Sequence, residues 1–222
     1  TLVASNYSFS GSHLKFRGIN DGARGIELAG NGIDGVSSVR LYDVELVNLE
    51  LKISGEDNIV DGVIMTVDRA GWDGSDATRQ LVELGSATGT ANRYNRFSNI
   101  EINVSACSAT YVDAARQSLF LISGDNSRVQ NMSVRVPETL STTYSHGSFE
   151  GSHQEVNGFS YTGPSFINFG SGGTLSTGPV YSNLKRLGHG IAAATAFISC
   201  SNASRPRFEN VVDMRNPATV SL

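Results

Sequence analysis

A short pattern recurs along this chain: an apolar residue, a variable residue, an Asn, Asp or Gly, then another apolar residue. It reads Phe16-Arg17-Gly18-Ile19, Leu41-Tyr42-Asp43-Val44, Ile59-Val60-Asp61-Gly62-Val63, Phe97-Ser98-Asn99-Ile100, Val129-Gln130-Asn131-Met132, Val156-Asn157-Gly158-Phe159, Tyr181-Ser182-Asn183-Leu184 and Phe208-Glu209-Asn210-Val211. Taking residues 18, 43, 61, 99, 131, 157, 183 and 210 as the corners gives steps of 25, 18, 38, 32, 26, 26 and 27. A second pattern, a short apolar stretch usually closed by Gly, lies between these corners. It appears as 26–30, 51–55, 81–85, 119–124, 149–151, 166–170 and 196–200, the last ending in Cys200. The two families alternate strictly, and self-similarity at a fixed period is the mark of a repeat architecture.

Each unit of about 26 residues then holds three short strands, one on each side of the corner residue and one ending in Gly. A unit this small cannot bury its own apolar face, so successive units must stack and share a core. With strands about 4.8 Å apart, each unit returns one strand spacing above its start. The expected fold is an all-β parallel β-helix of about eight coils. Asn suits the corner, because its short amide tolerates the left-handed conformation and can bond to its counterpart in the next coil. Asp43 and Asp61 fit less well, since stacked carboxylates repel, and the 18-residue step between them is short for a three-sided coil. Short strands and turns also leave a jelly roll or two-sheet sandwich open, although neither explains the alternation.

Composition points the same way. Twenty-four Gly, 29 Ser and 17 Asn against three Lys disfavour helices and favour turns. A net charge of -4 without a basic block argues against nucleic acid. No run approaches the length of a membrane span, so no membrane insertion is expected. Cys107 and Cys200 match no metal or redox spacing and are expected to be free and buried or half-buried. His13, His146, His153 and His189 share no metal-ligand spacing, and nothing asks for a metal or another cofactor. A chain that opens at Thr1 with no signal peptide reads as one domain, 1–222, cut from something longer.

The strand-Asn-strand corners Phe97-Ser98-Asn99-Ile100-Glu101-Ile102 and Val129-Gln130-Asn131-Met132-Ser133-Val134 resemble the right-handed single-stranded β-helices of the pectate-lyase-like superfamily. Within it, the Ser, Gly and Asn richness, the scarce Lys and the missing signal peptide look most like a bacteriophage tailspike shaft. The resemblance covers about residues 14 to 214. It implies a right-handed coil, a homotrimeric spike, other phage tail proteins as neighbours, and a virion or extracellular location. It also implies a bacterial surface polysaccharide, capsule or lipopolysaccharide, as the partner.

From corner to Gly-strand end the distances are 12, 12, 24, 25, 20, 13 and 17 residues. Three neighbouring coils are therefore lengthened on one side, with insertions near 67–80, 105–118 and 137–147. Loops on a rigid scaffold are where function concentrates. In the resembled superfamily the cleft lies beside this corner. Trp72, Tyr111 and Tyr144 offer flat faces for sugar rings, while Arg116, His146 and Glu150 offer polar contacts. Trp72 can equally be a plug holding its own loop down.

Glycoside hydrolysis needs two carboxyl groups about the scissile bond. In Leu81-Val82-Glu83-Leu84-Gly85 strand alternation turns Val82 and Leu84 inward and Glu83 outward, with Asp73, Asp76 and Asp113 as candidate partners and Asp125 as a weaker one. A lyase would instead use Arg116 or His146 as base. Three functions follow: a tailspike-like receptor-binding segment that recognises, and in one form depolymerises, a surface polysaccharide; a stand-alone secreted lyase or hydrolase; or a non-catalytic adhesin or shaft.

Overall fold

The computed structural model describes residues 2–5, 9–18, 26–29, 39–72, 80–85, 93–108, 118–140, 145–170, 176–187, 197–200 and 203–214. Strands are numbered along the chain. The first sheet holds β1 Leu2–Ser5, β3 Ile26–Ala29, β5 Leu51–Ser54, β7 Val82–Leu84, β9 Phe120–Ser123, β11 Gly147–Glu150, β13 Ile167–Phe169 and β16 Ile198–Ser199, paired in that order. The second holds β2 Phe9–Arg17, β4 Val39–Val47, β6 Ile59–Asp68, β8 Arg96–Ala106, β10 Arg128–Arg135, β12 Glu155–Thr162, β15 Val180–Leu187 and β18 Arg207–Asp213. A small third sheet joins β14 Ser176–Thr177 to β17 Ala203–Ser204. One 3-10 turn, Glu138–Leu140, completes the described elements.

Every pairing between named strands is parallel, and the chain passes from first sheet to second and back throughout. Jelly rolls are antiparallel, so that alternative is set aside. The connectivity is consistent with a parallel β-helix. The Gly-ended stretches are the strands of the first sheet. The two strands expected around each corner are instead one continuous strand of the second sheet.

Register turns each inward position into a column. Val60, Phe97, Val129, Val156 and Tyr181 form one buried row, and Val63, Ile100, Met132, Phe159 and Leu184 another. Toward the C-terminal end the filling becomes aromatic. The Phe149 and Phe169 rings stack with centroids 5.2 Å apart, and Tyr181 stacks on Phe208 at 5.1 Å. Size is complementary between levels. A Cβ at Gly147 would lie 2.0 Å from the ring of its register partner Phe120, so this rung has no room for a side chain.

The corner column is real, but its members shift. Flanking pairs align His13, Asp43, Gly62, Asn99, Asn131, Gly158, Asn183 and Asn210, all with φ between 52° and 78°. Gly18, Asp61 and Asn157 are therefore corrected. Gly18 follows β2, whose corner is His13, while Asp61 and Asn157 precede glycines that adopt positive φ without a Cβ penalty. Their side chains still join the ladder. Asn99 Nδ2 donates to Asp61 Oδ1 at 2.7 Å, Asn131 Nδ2 to Asn99 Oδ1 at 3.3 Å, Asn183 Nδ2 to Asn157 Oδ1 at 2.8 Å and Asn210 Nδ2 to Asn183 Oδ1 at 3.1 Å. The expected repulsion between Asp43 and Asp61 is avoided because Asp43 faces Gly62. Asp61 instead accepts from Ser98 Oγ and Asn99 Nδ2.

A second positive-φ column stands five residues before the first: Asp57, Tyr94, Asn126, His153, Gly178 and Arg205. After the first four of these the next residue turns inward, and Asn58, Asn95, Ser127 and Gln154 are fully buried. They bond between levels, Asn58 N–H to Asn95 Oδ1 at 3.0 Å and Asn95 N–H to Ser127 Oγ at 3.2 Å. Both cysteines are free. Cys107 is buried, which pushes its thiol up to about 11, whereas Cys200 is exposed, contrary to expectation.

Candidate functional site

Asp73, Asp76, Tyr111, Asp113, Arg116 and Tyr144 lie outside the described residues. Their segments fall in the connections from β6 to β7, β8 to β9 and β10 to β11, each of which runs from the second sheet to the first. The strands claim the outer edges of the expected insertions: Val67 and Asp68 end β6, Ser105 and Ala106 end β8, and Gly147 opens β11.

Trp72 and His146 are buried, which corrects the sugar contact expected of them and leaves Trp72 with its other reading, a plug. Trp72 is 0% exposed within the core, and its Nε1 donates to the Asn48 carbonyl at 3.1 Å. Its own carbonyl accepts from Ser108 N–H at 2.8 Å, so it ties the start of one connection to the start of the next. Asn48 is itself locked, exchanging two hydrogen bonds with Asp68 at 2.8 and 3.0 Å. His146 is 1% exposed. Ser165 N–H donates to Tyr161 Oη at 3.1 Å, leaving the phenol proton for His146 Nδ1 at 2.7 Å. His146 Nε2–H then donates to the Leu140 carbonyl at 3.2 Å, a tautomer assigned from the network. Burial pushes its pKa down to about 4, with the Arg186 charge adding to that and the Leu140 bond opposing it. It is a neutral strut rather than a base.

Glu83 and Glu150 share the outer face of the first sheet. Val82 and Leu84 point inward at 0% exposure, and Glu83 turns outward beside Lys52, Nζ to Oε2 3.6 Å. Glu83 is 9% exposed, so it lies in a covered position rather than on an open surface. Its row continues through Leu121 to Ser148. Ser148 Oγ donates to Glu150 Oε1 at 2.8 Å, which leans that carboxyl back toward the Glu83 row. Two strand spacings separate the rungs of Glu83 and Ser148, about 10 Å. Burial raises the Glu150 pKa, with the Ser148 bond opposing the shift. Glu83 and Glu150 thus stand on one face of the first sheet, two strands apart and offset by two residues in register, with Leu121 between the Glu83 and Ser148 rungs. Asp125, the weaker candidate, is exposed, and its Oδ1 accepts from Ser152 N–H at 2.7 Å, a structural bond between levels.

The outer face of the second sheet carries a feature the sequence reading missed. A groove of about 430 Å³ runs across β4, β6, β8 and β10, with Glu45, Ile64, Glu101 and Ser133 as consecutive rungs of one register row. Asn99 and Asn131 from the corner ladder form its side. Lys15 Nζ reaches Glu45 Oε1 at 2.7 Å, and Asn103 Nδ2 donates to Glu101 Oε1 at 2.8 Å. The signal was available: each rung is the second residue after a corner, and that position alternates outward.

Among the described residues no group of three or more His, Cys, Asp or Glu side chains could hold a metal ion, and no helix is long and apolar enough to cross a membrane. Comparisons with protein-family models, with curated proteins and with solved structures return no match.

Proposed function

We propose that this chain is a tailspike-like receptor-binding segment that recognises and depolymerises a bacterial surface polysaccharide, capsule or lipopolysaccharide, on the outer face of the first sheet. In this reading the two sheets wind as eight right-handed coils within a homotrimer, held in a virion beside other tail proteins. The observation that carries it is the Lys52–Glu83 pair facing the Ser148–Glu150 pair across Leu121, about two strand spacings away. Inverting glycosidases hold their two carboxyl groups about 6.5–9.5 Å apart, so this reading requires the Glu83 and Glu150 side chains to lean toward each other over Leu121. Glu150 donates its proton to the glycosidic oxygen as the bond to the anomeric carbon breaks. Glu83 takes a proton from the water that attacks the opposite face of the sugar. Lys52 supports the Glu83 carboxylate and orients it.

The test is incubation with capsular and lipopolysaccharide fractions, scored for new reducing ends and for the absorbance of an unsaturated uronate. Reducing ends without that absorbance, lost by about a hundredfold or more in Glu150→Gln and in Glu83→Gln, are expected. Absorbance gain would assign a lyase. Retained polysaccharide with neither signal would leave the chain a non-catalytic adhesin or shaft, a reading that the coverage of Glu83 favours.

A further inference from the structure

The groove on the second sheet belongs to neither the cleavage site nor the core, and its chemistry is selective. Asp43, Glu45 and Glu101 line it; Lys15 Nζ sits on Glu45 at 2.7 Å and His13 Nδ1 stands 3.4 Å from Asp43, both from β2 beside the groove rather than among its lining residues. An anionic polymer would have to shed water against carboxylates of which only Glu45 has a described lysine on it, whereas sugar hydroxyls can donate to them in charge-assisted bonds. Asn99 and Asn131 each use one amide N–H in the corner ladder. An amide nitrogen carries two, so the second N–H of each is available for a hydroxyl or ring oxygen. Between the two glutamates Ile64 is 44% exposed, an apolar rung at the level where the C–H face of a pyranose would rest. These groups repeat at the strand spacing, so a linear ligand lying across the strands meets one rung after another. The volume falls in the range of small-ligand sites.

We propose that this groove is a second, non-catalytic saccharide site that takes a non-anionic glycan, one built of neutral or N-acetylated amino sugars. It lies on the opposite sheet from Glu83 and Glu150 and stands whether or not that face cleaves a polymer.

The full chain is passed over an array of immobilised glucan, galactan, N-acetylamino-sugar and uronic-acid oligosaccharides. Retention on neutral or N-acetylamino probes and not on uronic-acid probes is expected. Glu101→Ala and Ile64→Asp should each weaken that retention about tenfold or more. Both positions face outward, and circular dichroism checks that both variants keep the native sheet signal. The double variant Glu45→Arg/Glu101→Arg should transfer retention to the uronic-acid probes. Glu150→Gln, which disables the proposed acid, should leave retention unchanged, so loss of cleavage and loss of groove binding are read separately. Equal retention of uronic-acid probes by the native chain, retention of no probe, or indifference to Glu101→Ala and Ile64→Asp would each overturn the proposal. A change in sedimentation with Ile64→Asp, without any saccharide retention, would assign the face to contact between protein chains instead.

Discussion

Two columns of left-handed residues run along this molecule five residues apart, and they are built by opposite means. The corner column uses His13, Asp43, Gly62, Asn99, Asn131, Gly158, Asn183 and Asn210, side chains chosen largely for tolerance of positive φ and stacked in the open. The other column uses Asp57, Tyr94, Asn126, His153, Gly178 and Arg205, an assortment that includes residues for which this conformation costs about 1–2 kcal/mol. What holds it is underneath. The N–H groups of Asp57, Tyr94, Asn126, His153 and Gly178 each donate to a carbonyl one level on. The following residue sends a polar side chain into the core at Asn58, Asn95, Ser127 and Gln154. One column is secured by the residue that bends, the other by its neighbour. Buried hydrogen bonds have no water to replace them, so the second device should be much the less forgiving.

The largest effect should come from Asn95→Ala. Asn95 is 0% exposed, its Oδ1 accepts from Asn58 N–H, and its Nδ2 donates to the Gly55 carbonyl at 3.2 Å. Removing the amide leaves the buried Asn58 N–H and the half-buried Gly55 carbonyl without this partner, each at about 1–3 kcal/mol. Urea unfolding should show about 4 kcal/mol lost, a sum of the two. A loss under about 1 kcal/mol would mean that water enters and that the inner column is not distinguished by burial.

A second buried polar group sharpens the same contrast through pH. His146 is neutral in the fold, its pKa lowered by burial from 6.5 to about 4. The unfolded chain therefore binds a proton below about pH 6.5 that the folded chain refuses. Stability attributable to this group is complete above that pH, falls as the pH drops, and levels off below about 4. The full span is about 3 kcal/mol at 1.36 kcal/mol per unit. Replacing His146 with Gln should remove this part of the slope between pH 4 and 6.5 in denaturant titrations. An unchanged slope would place the titrating group elsewhere.

How much of this was legible in the sequence follows from the same comparison. The alternation of corner and Gly-ended stretches is visible because Asn, Asp and Gly cluster where the backbone needs them, and the parallel sheets follow from it. The position within a corner was misread at Asp61 and Asn157, where an adjacent Gly competes for the left-handed site and wins on Cβ sterics. The inner column was invisible, since Tyr94, His153 and Arg205 share no residue type. Its trace is a fixed five-residue lead, seen in Tyr94-Asn95-Arg96-Phe97-Ser98-Asn99 and Arg205-Pro206-Arg207-Phe208-Glu209-Asn210. For the site, alternation placed Val82, Glu83 and Leu84 on the correct sides of a short strand. His146 reads as a solvent-facing contact, and Trp72 stays open between sugar face and plug, because residue type alone does not reveal which loop residues fold back into a core. The groove of Glu45, Ile64 and Glu101 joins residues far apart in sequence that meet only through register, which the misplaced corners concealed.

The smallest predicted effect separates backbone from side chain in the open column. Asn131 has φ 54°, its Nδ2 donates to Asn99 Oδ1 at 3.3 Å, and it is exposed. Asn131→Ala loses that bond and places a Cβ residue without amide compensation in the left-handed region, for about 1–2 kcal/mol. Asn131→Gly loses the same bond but relaxes φ, at the expense of a more flexible unfolded chain, for about 0.5–1 kcal/mol. The neighbouring rungs Gly62 and Gly158 already adopt the glycine solution, with Asp61 and Asn157 supplying the acceptor from one residue earlier. Asn131 is the donor in its bond to Asn99, a role that those two acceptors do not fill, so Asn131→Gly should still cost more than nothing. Paired urea melts of the two variants decide the matter. If Ala is the worse of the two, the column is specified by backbone conformation. If they are equally destabilised, the amide ladder itself carries the corner, and the distinction drawn between the open and the buried column reduces to exposure alone.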